Sequence, residues 1–161
     1  MDTKMKADEV AVIDFGSQYS QLIVRRIREL GYFAKLYLPS NLGDVENPLA
    51  IVLSGGPQSV NAEDSPSVDV QRLREYDVPI LGICYGMQML TDQVGGTVEE
   101  STTREYGPAK VHPDGSDTLF EGLPDDLKVW MSHSDTVTDL PEGSEVIARN
   151  LDDVPAAVQF D

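Results

Sequence analysis

The segment Gly82-Ile83-Cys84-Tyr85-Gly86 contains the only cysteine among 161 residues. Its pattern, glycine two residues before and two residues after a nucleophile, is that of a nucleophile elbow, with cysteine in place of serine. The two glycines suit a tight, strained turn from a strand into a helix. The unpaired N–H groups and positive dipole end of that helix favour the thiolate, the form that attacks an acyl carbon. The alternative is that Cys84 is a small buried hydrophobe, as many lone cysteines are. The flanking glycines weigh toward the nucleophile.

A second glycine-rich segment, Ser54-Gly55-Gly56-Pro57, suits a complementary task. Glycines after a strand let backbone N–H groups point into a cleft. The Gly56 and Tyr85 N–H groups together can hold the oxyanion that develops during acyl transfer. The same residues also make plain turns, and this segment alone decides nothing.

The elements that must position these groups are legible in the hydrophobic pattern. Val10 to Asp14, Phe33 to Leu38, Ala50 to Leu53 and Pro79 to Ile83 read as strands. Between and after them, Tyr19 to Leu30, Val68 to Tyr76 and Tyr85 to Val94 carry helical spacing, and Gly31 stands where a C-cap belongs. Alternating strand and helix predicts an α/β fold, an open and mostly parallel twisted sheet with helices on both faces. In such a sheet, sites form beyond the carboxyl ends of the strands. Three of those ends carry the unusual residues: Asp14-Phe15-Gly16-Ser17-Gln18, Ser54 to Pro57, and Gly82 to Gly86. Asp14 itself reads as a cap for the helix that follows.

The second half changes character. Gly107 to His112, Lys128 to Met131, Glu145 to Ala148 and Ala156 to Phe160 read as strands with short connections, and Thr118 to Gly122 as a helical turn. This half is expected to supply the remaining sheet edge and a smaller antiparallel addition. With no repeat, low-complexity tract or linker, residues 1–161 are expected to form one domain.

Composition narrows the partners. Asp and Glu number 28 against 12 Lys and Arg, for a net charge of −16. Such a surface repels nucleic acid and anionic membranes, and excludes both as expected partners. The acids are spread along the chain and lysine is scarce beside arginine, which fits a protein that must stay soluble in strong salt, though an ordinary acidic protein would look similar. Met1 to Glu9 has no apolar core of a secretory leader, and no apolar stretch is long enough to span a bilayer. One cysteine cannot form an internal disulfide, so the cytoplasm is the expected compartment.

Taken together, "IDFGSQYSQLI", "LSGGPQSV", "VPILG" followed by "ICYGMQ", "REYG", "LFEGLP" and "VWMSHSD" resemble the class I glutamine amidotransferase domain of GMP synthases. The resemblance runs from Val10 over nearly the whole chain and is closest to the two-domain form. It implies a flavodoxin-like sheet and a set of roles. Cys84 matches the nucleophile that attacks the side-chain amide of L-glutamine, giving a γ-glutamyl thioester and ammonia. Gly56 and Tyr85 match the oxyanion-hole donors. Gln88 matches a residue that holds the substrate, and Ser132, His133 and Asp135 match the segment that lines the pocket for glutamine's α-amino and α-carboxyl groups. No cofactor or metal is implied in this chain. ATP and Mg are used by the partner, an ATP-pyrophosphatase domain or subunit that adenylates XMP and aminates it to GMP.

The family activates its cysteine with a histidine from a "GVQFHPE" segment, and a glutamate two residues on orients it. This sequence reaches Val158-Gln159-Phe160-Asp161, with aspartate where that histidine would stand. The expectation is an amidotransferase domain incomplete at its C-terminus, without the base, its orienter or the synthetase domain. His112, before Pro113-Asp114-Gly115, reads as a surface turn residue rather than a base. Two other readings stay open: a glutamine-binding regulatory protein without catalysis, and an amidotransferase for another acceptor, as in anthranilate or carbamoyl phosphate synthesis.

Overall fold

The computed structural model describes residues 8–114 and 118–160. They group into two compact units, Met1–Val94 and Gly95–Asp161, in a chain that the sequence alone presents as one domain.

The first unit is built on a parallel sheet. Strands β1 (Glu9–Ile13), β2 (Ala34–Tyr37), β3 (Pro48–Leu53) and β4 (Ile80–Gly82) lie in the order β2-β1-β3-β4. This is the start of the flavodoxin-type order: β2 is added on one side of β1, and β3 and β4 on the other. The crevice beyond the carboxyl ends of β1 and β3, where the direction of winding switches, is where such sheets place a site. Val10 to Ile13 are all buried, as expected for a strand covered on both faces. Val10, Val12 and Val52 pack with Val24, Ile23 and Ile27 of helix α1 (Ser20–Glu29). The opposite face carries Leu53, which meets Gly86 of helix α3 (Tyr85–Gln93).

Local chemistry sets the boundaries. Gly31, at φ +92°, ends α1 in the left-handed conformation that glycine adopts without strain. The second predicted helix is shorter than its pattern: α2 runs only from Val70 to Arg74. Asp69 caps it by accepting the Gln71 N–H at 2.9 Å. A 3-10 segment, Pro39–Asp44, connects β2 to β3.

The second unit is an antiparallel sheet of β5 (Thr97–Pro113), β6 (Leu127–Asp139), β7 (Glu145–Asn150) and β8 (Pro155–Gln159), ordered β6-β5-β7-β8. Val98, Val111, Ile147 and Ala148 are its buried apolar residues. The 3-10 turn Thr118–Phe120 falls within the predicted helical turn. Two expectations need correction. β5 and β6 are far longer than predicted, forming a ribbon that pairs from Val111↔Leu127 to Thr97↔Asp139. No strand of the second half extends the parallel sheet among the described residues; all four pair with one another. The α/β class, with a mostly parallel sheet and a separate antiparallel part, is as expected. Among the described residues no helix is long and apolar enough to cross a membrane.

Candidate functional site

At the end of β4 the chain turns sharply. Cys84 has φ 54° and ψ −110°, a region that residues other than glycine rarely occupy. Such strain costs on the order of 1–3 kcal/mol and persists only where surrounding structure enforces it. Here the enforcement is visible. The Ile83 N–H donates to the Leu53 carbonyl at 2.9 Å, and the Gly86 N–H to the Ser54 carbonyl at 3.1 Å. The turn is thereby clamped to the end of β3. The Gln88 N–H donates to the Cys84 carbonyl at 3.0 Å, which makes Cys84 the N-cap of α3.

Both glycines of the elbow are sterically required. A Cβ on Gly82 would lie 2.8 Å from the Gly86 carbonyl carbon and the Met87 nitrogen. One on Gly86 would lie 2.6 Å from the Leu53 carbonyl oxygen. The spacing in the sequence therefore reflects two close backbone approaches, one within the turn and one between α3 and β3.

The other two strand ends converge on the same place. Ser54 is fully buried; its Oγ accepts the Phe15 N–H at 2.9 Å and donates to the Gly55 carbonyl at 2.8 Å. This hydroxyl joins the end of β1 to the end of β3. A Cβ on Gly55 would stand 3.4 Å from the Cys84 Cβ and 3.8 Å from the Ser17 Oγ. Gly56 presses against the Phe15 backbone, and Gly16, at φ +95°, approaches Pro57. Asp14 does not cap α1 as expected, since Tyr19 is the N-cap and has no side-chain cap bond; instead one Asp14 carboxylate oxygen accepts the Gly16 N–H at 2.8 Å and the Ser20 hydroxyl at 2.7 Å, which braces the turn after β1.

Tyr85 anchors the first turn of α3. Its ring is buried, 5.2 Å from that of Phe15 and tilted to it, and its hydroxyl donates to the Pro66 carbonyl. Burial pushes the pKa of that hydroxyl up, so it stays a neutral phenol. The side chain is thus tied into the packing of the first unit. Gln88, one turn along α3, is buried, with a relative exposure of 5%.

Cys84, Gly56, Tyr85 and Gln88 thus belong to one set of strand ends in the first unit. The other three predicted residues belong to the second. On β6, Ser132 stands opposite Tyr106, His133 opposite Glu105 and Asp135 opposite Glu100. Asp135 is buried; the side chains of Ser132 and His133 lie outside the described ones. His112 is on β5, opposite Arg149 of β7, with its Nδ1 2.5 Å from the Asp126 carboxylate. Ser17 and Ser54 fall within the strand-end segments that the sequence marks, but nothing there assigns their hydroxyls a role. A serine in a turn has no pattern to mark it, and only the fold shows what its hydroxyl meets. Among the described residues no three His, Cys, Asp or Glu side chains are grouped to hold a metal ion.

Comparison with known proteins agrees with this architecture. The family described as glutamine amidotransferase class-I matches residues 11–160. The chain is 49% identical over 152 residues to a GMP synthase [glutamine-hydrolyzing] of Bacillus licheniformis, covering 92% of this chain and 29% of that protein. It is 51% identical over 154 residues to the protein of the same name from Thermosipho melanesiensis, covering 93% of this chain and 29% of the relative. The chain therefore spans under a third of the length of these curated relatives. Among solved structures, a candidate GMP synthase subunit from Thermoplasma acidophilum superposes with a TM-score of 0.82 at 27% identity, over 96% of this chain and 79% of that one. A glutamine amidotransferase from Thermotoga maritima, at 23% identity and a TM-score of 0.77 over 96% of this chain and 72% of that one, shares the fold.

Proposed function

The chain belongs to the class-I glutamine amidotransferase family, and from that premise we propose that it is the glutamine-hydrolysing part of a GMP synthase. The observation that carries the reading is the strained Cys84 at the N-cap of α3, beside the glycines that end β3. In the proposed reaction the Cys84 thiolate attacks the side-chain amide carbon of glutamine. The carbonyl electrons move onto oxygen, and the oxyanion accepts hydrogen bonds from the backbone N–H groups of Gly56 and Tyr85. Collapse of this intermediate breaks the C–N bond. The nitrogen takes up a proton and leaves as ammonia, and water then cleaves the γ-glutamyl thioester to glutamate, returning the thiol. Gln88, Ser132, His133 and Asp135 are assigned to holding the substrate.

The ammonia would be passed to an ATP-pyrophosphatase region or subunit, which uses ATP and Mg to adenylate XMP and aminates it to GMP. The curated relatives, more than three times as long as the matched segment, have room for such a region. The reading places the protein in the cytoplasm, where a lone reactive thiol stays reduced. The acidic surface suits a salt-accumulating host.

The test is labelling of the purified chain with a glutamine analogue that carries an electrophilic carbon at the amide position. One adduct on Cys84, slowed by free L-glutamine and absent from Cys84→Ala, is expected. Labelling that glutamine does not slow would remove the glutamine site.

A further inference from the structure

Gly55 leaves a gap between two side chains from different strand ends. The point where its missing Cβ would sit is 3.4 Å from the Cys84 Cβ and 3.8 Å from the Ser17 Oγ. The hydroxyl of Ser17 thus borders the same small space as the cysteine side chain. Its own bonding is half used. The Oγ accepts the Tyr19 N–H at 3.0 Å, which engages a lone pair and leaves the O–H to donate. The turn that presents it is rigidly held. Gly16 takes a positive φ, the Asp14 carboxylate grips both the Gly16 N–H and the Ser20 hydroxyl, and the Ser20 N–H donates to the Ser17 carbonyl at 3.3 Å.

We propose that Ser17 is a positioning residue for the nucleophile: its hydroxyl donates a hydrogen bond to the Cys84 thiolate across the gap that Gly55 keeps open. The inference rests on the reading of Cys84 as the nucleophile. A hydroxyl donating to sulfur stabilises the charged form and adds to what the α3 N-terminus supplies. The ionisable groups that the neighbouring elements of the first unit bring to this end are few. The turn after β1 contributes Asp14, already engaged by two donors. Ser54 to Pro57 and β4 contribute none. α3 contributes Tyr85, whose hydroxyl is turned to Pro66, and Asp92, near the helix's far end.

The test follows alkylation of Cys84 by iodoacetamide as a function of pH in the 161-residue chain. Iodoacetamide needs no glutamine pocket, so the result is independent of whether glutamine is the substrate. Ser17→Ala should move the profile up by about 0.5–1 pH unit, which slows alkylation roughly 3–10-fold near neutrality and leaves the high-pH plateau unchanged. Ser17→Thr should restore the wild-type profile. Gly55→Ala gives a second route. Its methyl would make ordinary contacts with both partners at a backbone without positive φ, so the variant should fold, and the wedge should raise the profile while both side chains are kept. The double variant should shift no further than the larger single one, because both break the same contact. Superimposable profiles for wild type, Ser17→Ala and Gly55→Ala, all folded by circular dichroism, would overturn the proposal. So would a Ser17→Ala defect confined to the glutamine analogue, which would make the hydroxyl a substrate contact.

Discussion

Gly56 and Phe15 meet backbone to backbone: a Cβ on Gly56 would lie 2.4 Å from the Phe15 carbonyl oxygen. That approach joins the ends of β1 and β3 and sets the direction of the Gly56 N–H. Gly56→Ala must push the two turns apart. The expected cost is roughly 1–3 kcal/mol, the usual range for overpacking a tight contact. Urea unfolding reads it. Reaction of Cys84 with the glutamine analogue should fall further than reaction with iodoacetamide, since only the former needs the oxyanion donor. Equal losses with the two reagents would assign Gly56 a purely structural role.

Ser54→Ala tests the same junction from inside. Its hydroxyl is fully buried and serves both the Phe15 N–H and the Gly55 carbonyl. Removing it strands a buried donor, at an expected cost of about 1–3 kcal/mol. Ser54→Cys and Ser54→Thr should differ: the threonine keeps the hydroxyl but adds a methyl at a site with no exposure. A wild-type unfolding midpoint for Ser54→Ala would mean that water takes over the Phe15 N–H.

How much of this is readable from the sequence depends on which force shapes each element. The strands of the first unit are driven by burial, and their apolar runs, such as Val10 to Ile13, announce them. The elbow is legible because close backbone approach at Gly82 and Gly86 demands glycine, which leaves a mark in the sequence. The ribbon of β5 and β6 is only half legible. Glu99 and Glu100 pair with Thr136 and Asp135, and Glu105 and Tyr106 with His133 and Ser132; these mostly polar residues are held by pairing across strands, and backbone hydrogen bonds leave no apolar period to read. The second helix reads too long because Val70, Leu73 and Tyr76 recur every three residues and Val68 extends the apolar pattern, yet Asp69 caps the helix only at Val70, and Asp77, at φ +51°, takes the chain out of helical conformation. For Ser132, His133 and Asp135 on β6, no local pattern suggests a role; only a resemblance in sequence implies one.

Alkaline pH should expose the buried pair Glu9 and Tyr37. The Tyr37 hydroxyl donates to the Glu9 carboxylate in a buried setting. Burial, then the hydrogen bond and negative charge of Glu9, hold the phenol's pKa far above its ordinary value of 10.0. A raised pKa means that the folded state keeps the proton more tightly than the unfolded one. The stabilisation is therefore complete below about pH 10, the unfolded value, and is lost progressively as pH rises above it. Tyr37→Phe should be less stable at pH 7, and its stability should decline less steeply above pH 10. Equal slopes for the two proteins, from urea midpoints between pH 8 and 11, would remove Tyr37 from the alkaline response.

Salt should stabilise the protein. Exposed ion pairs among the described residues include Arg25 and Arg26 with Glu29, and Arg149 with Asp153. With 28 acidic residues against 12 Lys and Arg, carboxylates outnumber cations throughout the chain and repel one another. Raising salt from about 0.1 M to 1 M shortens the screening length from about 10 Å to about 3 Å. The melting midpoint should rise between low and molar potassium chloride. An unchanged or lower midpoint would argue against a salt-accumulating host.

Turnover separates a displayed nucleophile from a complete one. The 161 residues contain two histidines. His112 is paired with Asp126 on the antiparallel sheet, and His133 is assigned to substrate binding. Neither is expected to take the Cys84 proton and return one to the departing ammonia. General acid–base help of that kind is typically worth about 10²–10⁴-fold, and members of a catalytic group fail together rather than additively. The strained turn, the α3 N-terminus and the backbone donors remain, so Cys84 should keep part of its reactivity. This chain alone should show slow, glutamine-protected labelling of Cys84 with negligible release of glutamate. His112→Gln should change neither quantity. Glutamate release at rates of about 1 s⁻¹ or more, in the range usual for enzymes, would mean that His133, His112 or another residue supplies the base. Loss of kcat in His133→Gln or His112→Gln would identify the histidine, and retention in both would assign the base to another residue.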